Sequence, residues 1–303
     1  MDLQWGGQPP RRRALGLMAL ATTACTESAT ETTPLRLRVG VERDYGPFVF
    51  VDERGELRGL SVDILRAIAP RVGLQLEWQP AAPLNQLLRR AERGELDLLT
   101  SLRATPERAR YLGFGPPYVE VPAALLLRPG SSAALAGLSA LAGRKVGVGK
   151  GYAVEAYVRT HFPAVQWEAC NDDAEAVRRW VAGELEGVVA DIASIEHVRR
   201  SLGLTSDRLQ LRADLGFGYA LSFAYPKDRV EIGARLAQGQ SLLETEAQRA
   251  ILQRWLPPGE VEAAVRQPTR DSLRVWGLGA LGLAGLAGLA LLGRRRRADG
   301  AAR

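Results

Sequence analysis

The chain has 303 residues, 46% hydrophobic and 24% charged, with 32 Gly and 17 Pro. This ordinary globular composition excludes a disordered chain, a collagen and a disulfide-dense miniprotein, and the length suggests two domains of about 100–200 residues each. Cys25 and Cys170 are too few for a disulfide framework or a cysteine zinc site, and His161 and His197 lie 36 positions apart without ligand spacing. No metal or cofactor is implied. The net charge is +6, yet residues 35–270 hold 31 Lys and Arg against 29 Asp and Glu, so most of the excess lies in the two ends. There, Arg11-Arg12-Arg13 and Arg294-Arg295-Arg296-Arg297 flank apolar segments. A nucleic-acid binder carries its excess as a stripe on the folded body, so this pattern indicates membrane topology and no nucleic-acid partner.

In chain order, three arginines precede the 11-residue apolar run Ala14–Ala24, which is too short to span a bilayer and leads through small residues to Cys25. Residues 1–25 read as an export signal. The pattern resembles a bacterial lipoprotein signal in which Cys25 is lipidated, with Thr22 as a departure; a plain cleavage site is the alternative. Residues 26–34 are polar and read as a linker. The spacing then predicts a strand over Leu35–Val41, a helix over Ser61–Val72, a strand over Leu74–Trp78, a helix over Leu84–Glu92 and a strand over Leu96–Thr100. The rhythm restarts with a strand at Lys145–Val148, a helix at Ala153–Thr160, a strand at Val165–Ala169 and a helix at Asp172–Ala182. A strand at Gly187–Ala190 and a helix ending at Ser201 close that run. Two runs of such alternation argue for α/β layers with parallel sheets, divided into two lobes. In such sheets ligands bind beyond the carboxyl ends of the strands, next to helix N-termini.

A linker over 258–274 leads to Val275–Gly293, 19 residues without a charge. As a helix this segment is about 28 Å long, close to the hydrocarbon thickness of a bilayer. The four arginines that follow place the tail, 294–303, in the cytoplasm by the positive-inside rule. The expectation is a C-terminal transmembrane helix that anchors an exported body. A buried core helix and a sorting tail that is cut off are the alternatives.

Seven motifs between the two ends carry a specific resemblance. Val39-Gly-Val-Glu-Arg-Asp-Tyr-Gly-Pro-Phe48, Asp52-Glu-Arg-Gly-Glu-Leu-Arg-Gly-Leu60 with Asp63-Ile-Leu65, and Gly94-Glu-Leu-Asp97 stand in the first half. Thr105-Pro-Glu-Arg108, Phe114-Gly-Pro-Pro-Tyr118 and Lys145-Val-Gly-Val-Gly-Lys-Gly151 follow in order. Together they resemble a family 3 extracellular solute-binding protein, from about Leu35 to Leu256. The resemblance implies the two-lobed periplasmic-binding-protein fold, also called a Venus flytrap, in which ligand is captured as the lobes close. It implies lobe 1 over 35–120 and 216–257 and lobe 2 over 121–215, with crossovers near Glu120–Ala124 and Leu215–Leu221. Gly151-Tyr-Ala-Val-Glu-Ala-Tyr157 also resembles the flytrap input domains of bacterial sensor proteins.

Candidate ligand-binding residues follow. Thr105 suits an N-cap and Pro106 the first helical position, so Arg108 projects from a first helical turn, beside free N–H groups that favour a carboxylate. The resemblance gives this arginine the ligand α-carboxylate; a surface arginine or a structural ion pair is the plainer role. Asp191 follows a strand and caps the next helix, and the resemblance gives it the ligand α-amino group. Glu42 and Tyr45 end the first strand where the family places an acidic side-chain reader and an aromatic wall, whereas Phe48 reads as core. Leu84 replaces a second aromatic of many family members. Thr100 and Ser101 offer hydroxyl and backbone donors. At Gly151, Tyr152 and Ala153 the family's Thr-Thr pair is lost but the N–H groups of a helix start remain. The resemblance therefore implies a small-molecule ligand, an amino acid or similar small carboxylate, and an ABC permease as partner; the alternative is a sensor reporting occupancy to a separate signalling protein. No catalytic motif is visible, so an enzyme is not expected, although dehydratases acting on prephenate-like acids share the fold.

Overall fold

The computed structural model describes residues 34–131, 133–213 and 215–256. The export signal, Cys25, the apolar segment 275–293 and the arginine-rich tail all lie outside the described residues. Among the described residues no helix is long and apolar enough to cross a membrane.

The first run comprises β1 (Leu35–Gly40), β2 (Asp44–Tyr45), β3 (Val49–Val51), β4 (Leu57–Arg58), α1 (Leu60–Ile68), β5 (Leu74–Trp78), α2 (Leu84–Glu92), β6 (Leu98–Arg103) and β7 (Leu112–Phe114). Strand β8 (Val119–Leu127) leads to α3 (Ala133–Ala136), β9 (Lys145–Gly149), α4 (Ala153–His161), β10 (Gln166–Cys170), α5 (Asp173–Val181), β11 (Gly187–Asp191), α6 (Ile192–Ser201) and β12 (Gln210–Arg212). Strand β13 (Gly218–Pro226) returns the chain to α7 (Val230–Ser241) and α8 (Thr245–Trp255). The alternation read from the sequence up to Ser201 is present, with ends moved by a few residues. One helix is shorter than its apolar spacing suggests. α1 stops at Ile68 and a 3-10 turn over Ala69–Val72 replaces its last stretch. Pro70 lies in that turn, and a proline without an N–H cannot continue the α ladder.

The sheet order is β10-β9-β11-β8-β13-β6-β1-β5, with β12 on β8 and β7 on β13. β5, β1 and β6 run parallel at one end, and β10, β9 and β11 run parallel at the other. These are two α/β lobes of a periplasmic-binding-protein fold, joined through β8 and β13. The sequence of β8 shows how. Its first half alternates, with Val119 and Val121 buried and Glu120 and Pro122 half-exposed, and it pairs antiparallel with Gly218–Leu221 of β13. Its second half, Ala123–Leu127, is buried throughout and pairs with β11. A strand covered on both faces reads as a continuous apolar run, whereas one covered on a single face alternates. The change of partner falls at Pro122, a residue with no N–H to give to a ladder.

Each lobe packs helices on its sheet. Leu60, Val62, Leu65 and Ile68 of α1 are fully buried beside Leu37 and Val39 of β1 in one apolar cluster. Asp63 on the same helix accepts from Arg254 Nη1 at 3.0 Å and Trp255 Nε1 at 2.9 Å, which ties α8 back to the first helix. In the other lobe Ala176, Val177 and Trp180 of α5 pack with Val188, Ala190 and Ile195.

Candidate ligand-binding cleft

The segments after the parallel strands of both lobes meet in one cleft. An empty volume of about 240 Å³ is lined by Glu42, Tyr45, Leu84, Ser101 and Arg108 on one side and by Tyr152 and Ala153 on the other. Arg103, Tyr219 and Leu221 also line it, and no sequence motif singled them out. Tyr219 and Leu221 lie on β13, whose role as a wall follows only from the sheet order. Arg103 stacks its guanidinium 4.0 Å from the centroid of Phe217.

Arg108 is only 6% exposed. It opens a single 3-10 turn, Arg108–Arg110, and no longer helix follows. The cap chemistry holds, since Thr105 Oγ1 accepts the Arg108 N–H at 3.3 Å. The helix does not propagate because β7 begins at Leu112 and pairs with β13, drawing the backbone into extended form. The guanidinium donates to Arg103 O and, across the cleft, to Gly151 O, each at 2.7 Å. Both acceptors are neutral. Burial lowers the arginine's pKa, and Glu42 is the first of the neighbours that oppose this. A buried cation held by carbonyls alone favours an arriving carboxylate, which accepts two parallel N–H bonds and supplies the missing charge.

A second bond crosses the cleft. The Tyr152 hydroxyl donates to Glu42 Oε2 at 2.8 Å. Burial pushes the Glu42 carboxyl up to about 8, against the opposing pull of that bond and of Arg108. Tyr45 packs on Phe48 and Tyr152, with ring centroids 5.1 and 5.3 Å away. Phe48 itself is fully buried, as core. The Gly151 N–H is taken by Glu155 Oε2 at 2.7 Å and the Tyr152 N–H by Gly149 O at 3.2 Å. Two of the backbone donors expected at this helix start are therefore engaged.

Ser101 lies on the cleft wall with φ 55°, a left-handed conformation that non-glycine residues adopt rarely. A closed triangle of hydrogen bonds holds it there. Its N–H donates to the Tyr118 hydroxyl at 3.0 Å and its hydroxyl to Ser61 Oγ at 2.8 Å, while Ser61 and Tyr118 are 2.7 Å apart. Both Ser101 donors are thus used inside the protein. Thr100 and Asp191 are buried but do not line the cavity. The Thr100 hydroxyl has no hydrogen-bond partner. Asp191 caps α6: Oδ1 accepts the Ser194 N–H at 2.8 Å and Oδ2 the Ser194 hydroxyl at 2.7 Å. Burial raises this carboxyl to about 6, with Ser194 and Tyr45 opposing. Among the described residues no cluster of three His, Cys, Asp or Glu side chains is arranged to hold a metal ion.

The sequence model of the bacterial extracellular solute-binding proteins, family 3, matches residues 37–258, which covers the two lobes and the cleft between them. The chain belongs to this family. This solute-binding protein is 31% identical over 210 residues to the L-arginine-binding protein of Pseudomonas aeruginosa, an alignment covering 68% of this chain and 74% of that protein. Its fold superposes on the crystal structure of a histidine kinase sensor domain with similarity to periplasmic binding proteins. That match has a TM-score of 0.67 and 28% identity, covering 74% of this chain and 96% of the other. A more distant relative is the membrane-bound lytic murein transglycosylase F of Idiomarina loihiensis, 24% identical over 218 residues. There the match covers 68% of this chain but only 48% of the relative, so this solute-binding protein spans about half of that enzyme's length.

Proposed function

We propose that this chain is an exported binding protein that captures an amino acid or a similar small carboxylate between its lobes, for ABC-type uptake through a permease. The observation that carries the reading is Arg108: a buried guanidinium at the cavity wall whose bonds go to two neutral carbonyls. In this reading Arg108 takes the ligand carboxylate, and Asp191 supports the ammonium end. Tyr45 and Tyr152 form the apolar wall, Glu42 reads the far end of the ligand, Ser101 and Ala153 line the cavity beside them, and Thr100 and Gly151 support that lining from behind. The lobes divide as 35–120 with 216–257 and 121–215. Residues 1–25 direct export, with Cys25 as a lipidation site, and 275–293 anchor the body to the membrane ahead of the cytoplasmic tail.

The similarity to L-arginine-binding protein supports an amino-acid ligand. The likeness to a histidine kinase sensor domain favours a second reading, in which occupancy is reported to a signalling partner. Catalysis is not part of the proposal; a dehydratase-like activity is the outlying alternative. Calorimetry of the purified chain with a panel of the common amino acids and small dicarboxylates tests the central claim. Binding of one class, with the ligand recovered chemically unchanged, supports it. Failure of every member to bind refutes it, and conversion of a bound acid would make the protein an enzyme. Radiolabel uptake by cells lacking the gene separates transport, in which uptake falls, from sensing, in which uptake persists. A cysteine placed at Ala301 tests the anchor: protection from an impermeant thiol reagent in intact cells supports it, and labelling opposes it.

A further inference from the structure

One contact between the lobes lies outside the cavity just described. Gly46 follows β2 in the first lobe, and a Cβ there would overlap His197 of α6 in the second; its three nearest atoms would be Nε2, Cδ2 and Cε1 of that ring. The absent side chain makes room for the other lobe. The ring also packs on Phe50 of β3, with centroids 4.7 Å apart. Phe50 is backed in turn by Trp255 at 5.9 Å, whose Nε1 donates to Asp63 at 2.9 Å, so the first-lobe side of the contact is braced.

His197 is half-buried, and among the described residues neither ring nitrogen has a hydrogen-bond or ion-pair partner. A neutral ring fits such a seat, whereas an imidazolium has two N–H donors and a charge to satisfy. The charged groups around it are Asp44 of β2, Asp52, Glu53 and Arg54 of the β3–β4 turn, and Arg178 of α5, which line the same groove, with Arg200 one turn along α6. Several of these are engaged elsewhere. Asp52 accepts the N–H groups of Arg54 and Glu56 and lies 3.5 Å from Arg58, while Arg178 reaches Asp172 at 3.9 Å. Burial, and then Arg200, lower the ring's pKa from 6.5, so the closed contact prefers the neutral form.

We propose that His197 is a pH-sensitive latch between the lobes: neutral, it seats on Gly46 and Phe50 and holds the lobes closed, and on taking a proton it releases them. Opening returns the ring to water, where an imidazole titrates at about 6.5. Closure is therefore weakened by His197 as the pH falls through that value. Ligand affinity falls with it, because binding and closure are one equilibrium. The latch acts on the lobes and so on any ligand the cleft takes.

The test is small-angle scattering of the ligand-free, full-length protein at pH 7.5 and pH 5.5, on wild type and on His197→Phe, which keeps a ring and cannot take a proton. Glu42 and Asp191 titrate in both proteins, so the difference between the two reads His197 alone. Relative to His197→Phe, wild type is expected to shift its closed-to-open ratio toward the open form by several-fold, up to about tenfold, between pH 7.5 and pH 5.5. Gly46→Ala tests the seat: compaction at pH 7.5 should fall, and adding His197→Ala to the same chain should recover it. Thermal melts at both pH values show that each variant is folded. The same pH response in wild type and His197→Phe, or a wild type that closes more in acid than the variant does, overturns the latch. A Gly46→Ala protein as compact as wild type overturns the seat, and the latch with it.

Discussion

Tyr152 and Glu42 stand 110 positions apart in the chain and share a 2.8 Å hydrogen bond across the cleft. The bond joins the turn after β9 to the segment after β1, so it exists only when those segments meet. It stands beside the Arg108 bond to Gly151 as a second latch between the lobes. A closed form held by such bonds has its affinity for ligand tied to them, because binding and closure are one equilibrium.

Tyr152→Phe removes the donor and keeps the ring that packs on Tyr45. The lost bond contributes about 0.5–1.5 kcal/mol to closure, so ligand affinity should weaken by up to about tenfold. Calorimetry with the best-bound amino acid reads the affinity, and small-angle scattering reads compaction on binding. Unchanged affinity together with unchanged compaction would show that the bond does not hold the lobes.

Arg108→Ala should weaken carboxylate ligands by about 2–5 kcal/mol, because a desolvated charge loses its partner. Arg108→Lys should recover only part of this, since an ammonium does not reproduce a two-pronged contact. Ligand titrations on both variants, with melts to show that the fold persists, decide the matter. An alanine variant that binds as tightly as wild type would remove Arg108 from the site.

Much of this architecture is legible in the chain before any coordinates. The inner strands β6 and β11 announce themselves as apolar stretches, Leu98–Leu99 and Val188–Ala190, because burial on both faces leaves few polar positions, whereas β1, β5 and β10 alternate with partly exposed polar residues. The small sheet β2-β3-β4 does not, since its strands are two or three residues long and carry no period. Nor does periodicity identify α7, whose buried positions include Gly233 and Gly239, small residues that give no hydrophobic signal, or α8, which fully buries only Leu252. The site divides in the same way. Arg108 and Asp191 are recognisable by motif and by cap chemistry. Asp172, Asp173 and Asp191 all begin helices, so local sequence gives each the same cap role. Which of them keeps free oxygens is decided by partners elsewhere: Ser194 satisfies Asp191, Glu175 satisfies Asp172, and nothing satisfies Asp173.

The raised carboxyls give the ligand-free protein a definite pH dependence. A group whose pKa is higher folded than unfolded binds more protons in the folded state over that window, so its contribution is present at low pH and lost as pH rises. Glu42 moves from an ordinary 4.5 to about 8, and Asp191 from 3.8 to about 6. Glu42 is faced by Tyr152, Arg108, Asp172 and Asp191, and Asp191 by Ser194 and Tyr45. Asp173, raised by burial and by its acidic neighbours, acts in the same direction. His197, lowered from 6.5 by burial and by Arg200, acts in the opposite direction just below that value, and Asp97, lowered chiefly by Arg38, matters only below 3.8. Stability should therefore fall between about pH 5 and pH 8, by at most about 1.4 kcal/mol per pH unit for each raised carboxyl. Glu42→Gln should flatten the slope. Denaturant titrations at several pH values measure it, and a rise in stability across this range would contradict the raised carboxyls.

Asp191 separates structural from ligand duties. Its two oxygens hold Ser194 at 2.8 and 2.7 Å, so Asp191→Ala removes the cap of α6 and should cost about 0.5–2 kcal/mol of stability. Asp191→Asn keeps an oxygen for the Ser194 N–H and should cost less than alanine does. The ligand response runs on a different axis. If the carboxylate charge supports the ammonium group, Asp191→Asn should weaken amino acids while leaving simple dicarboxylates, which have no ammonium, nearly unaffected. Melting curves for both variants, paired with titrations of one amino acid and one dicarboxylate, separate the two contributions. Equal losses for both ligand classes in Asp191→Asn would confine Asp191 to its cap and leave Glu42 as the acidic group on the cavity wall.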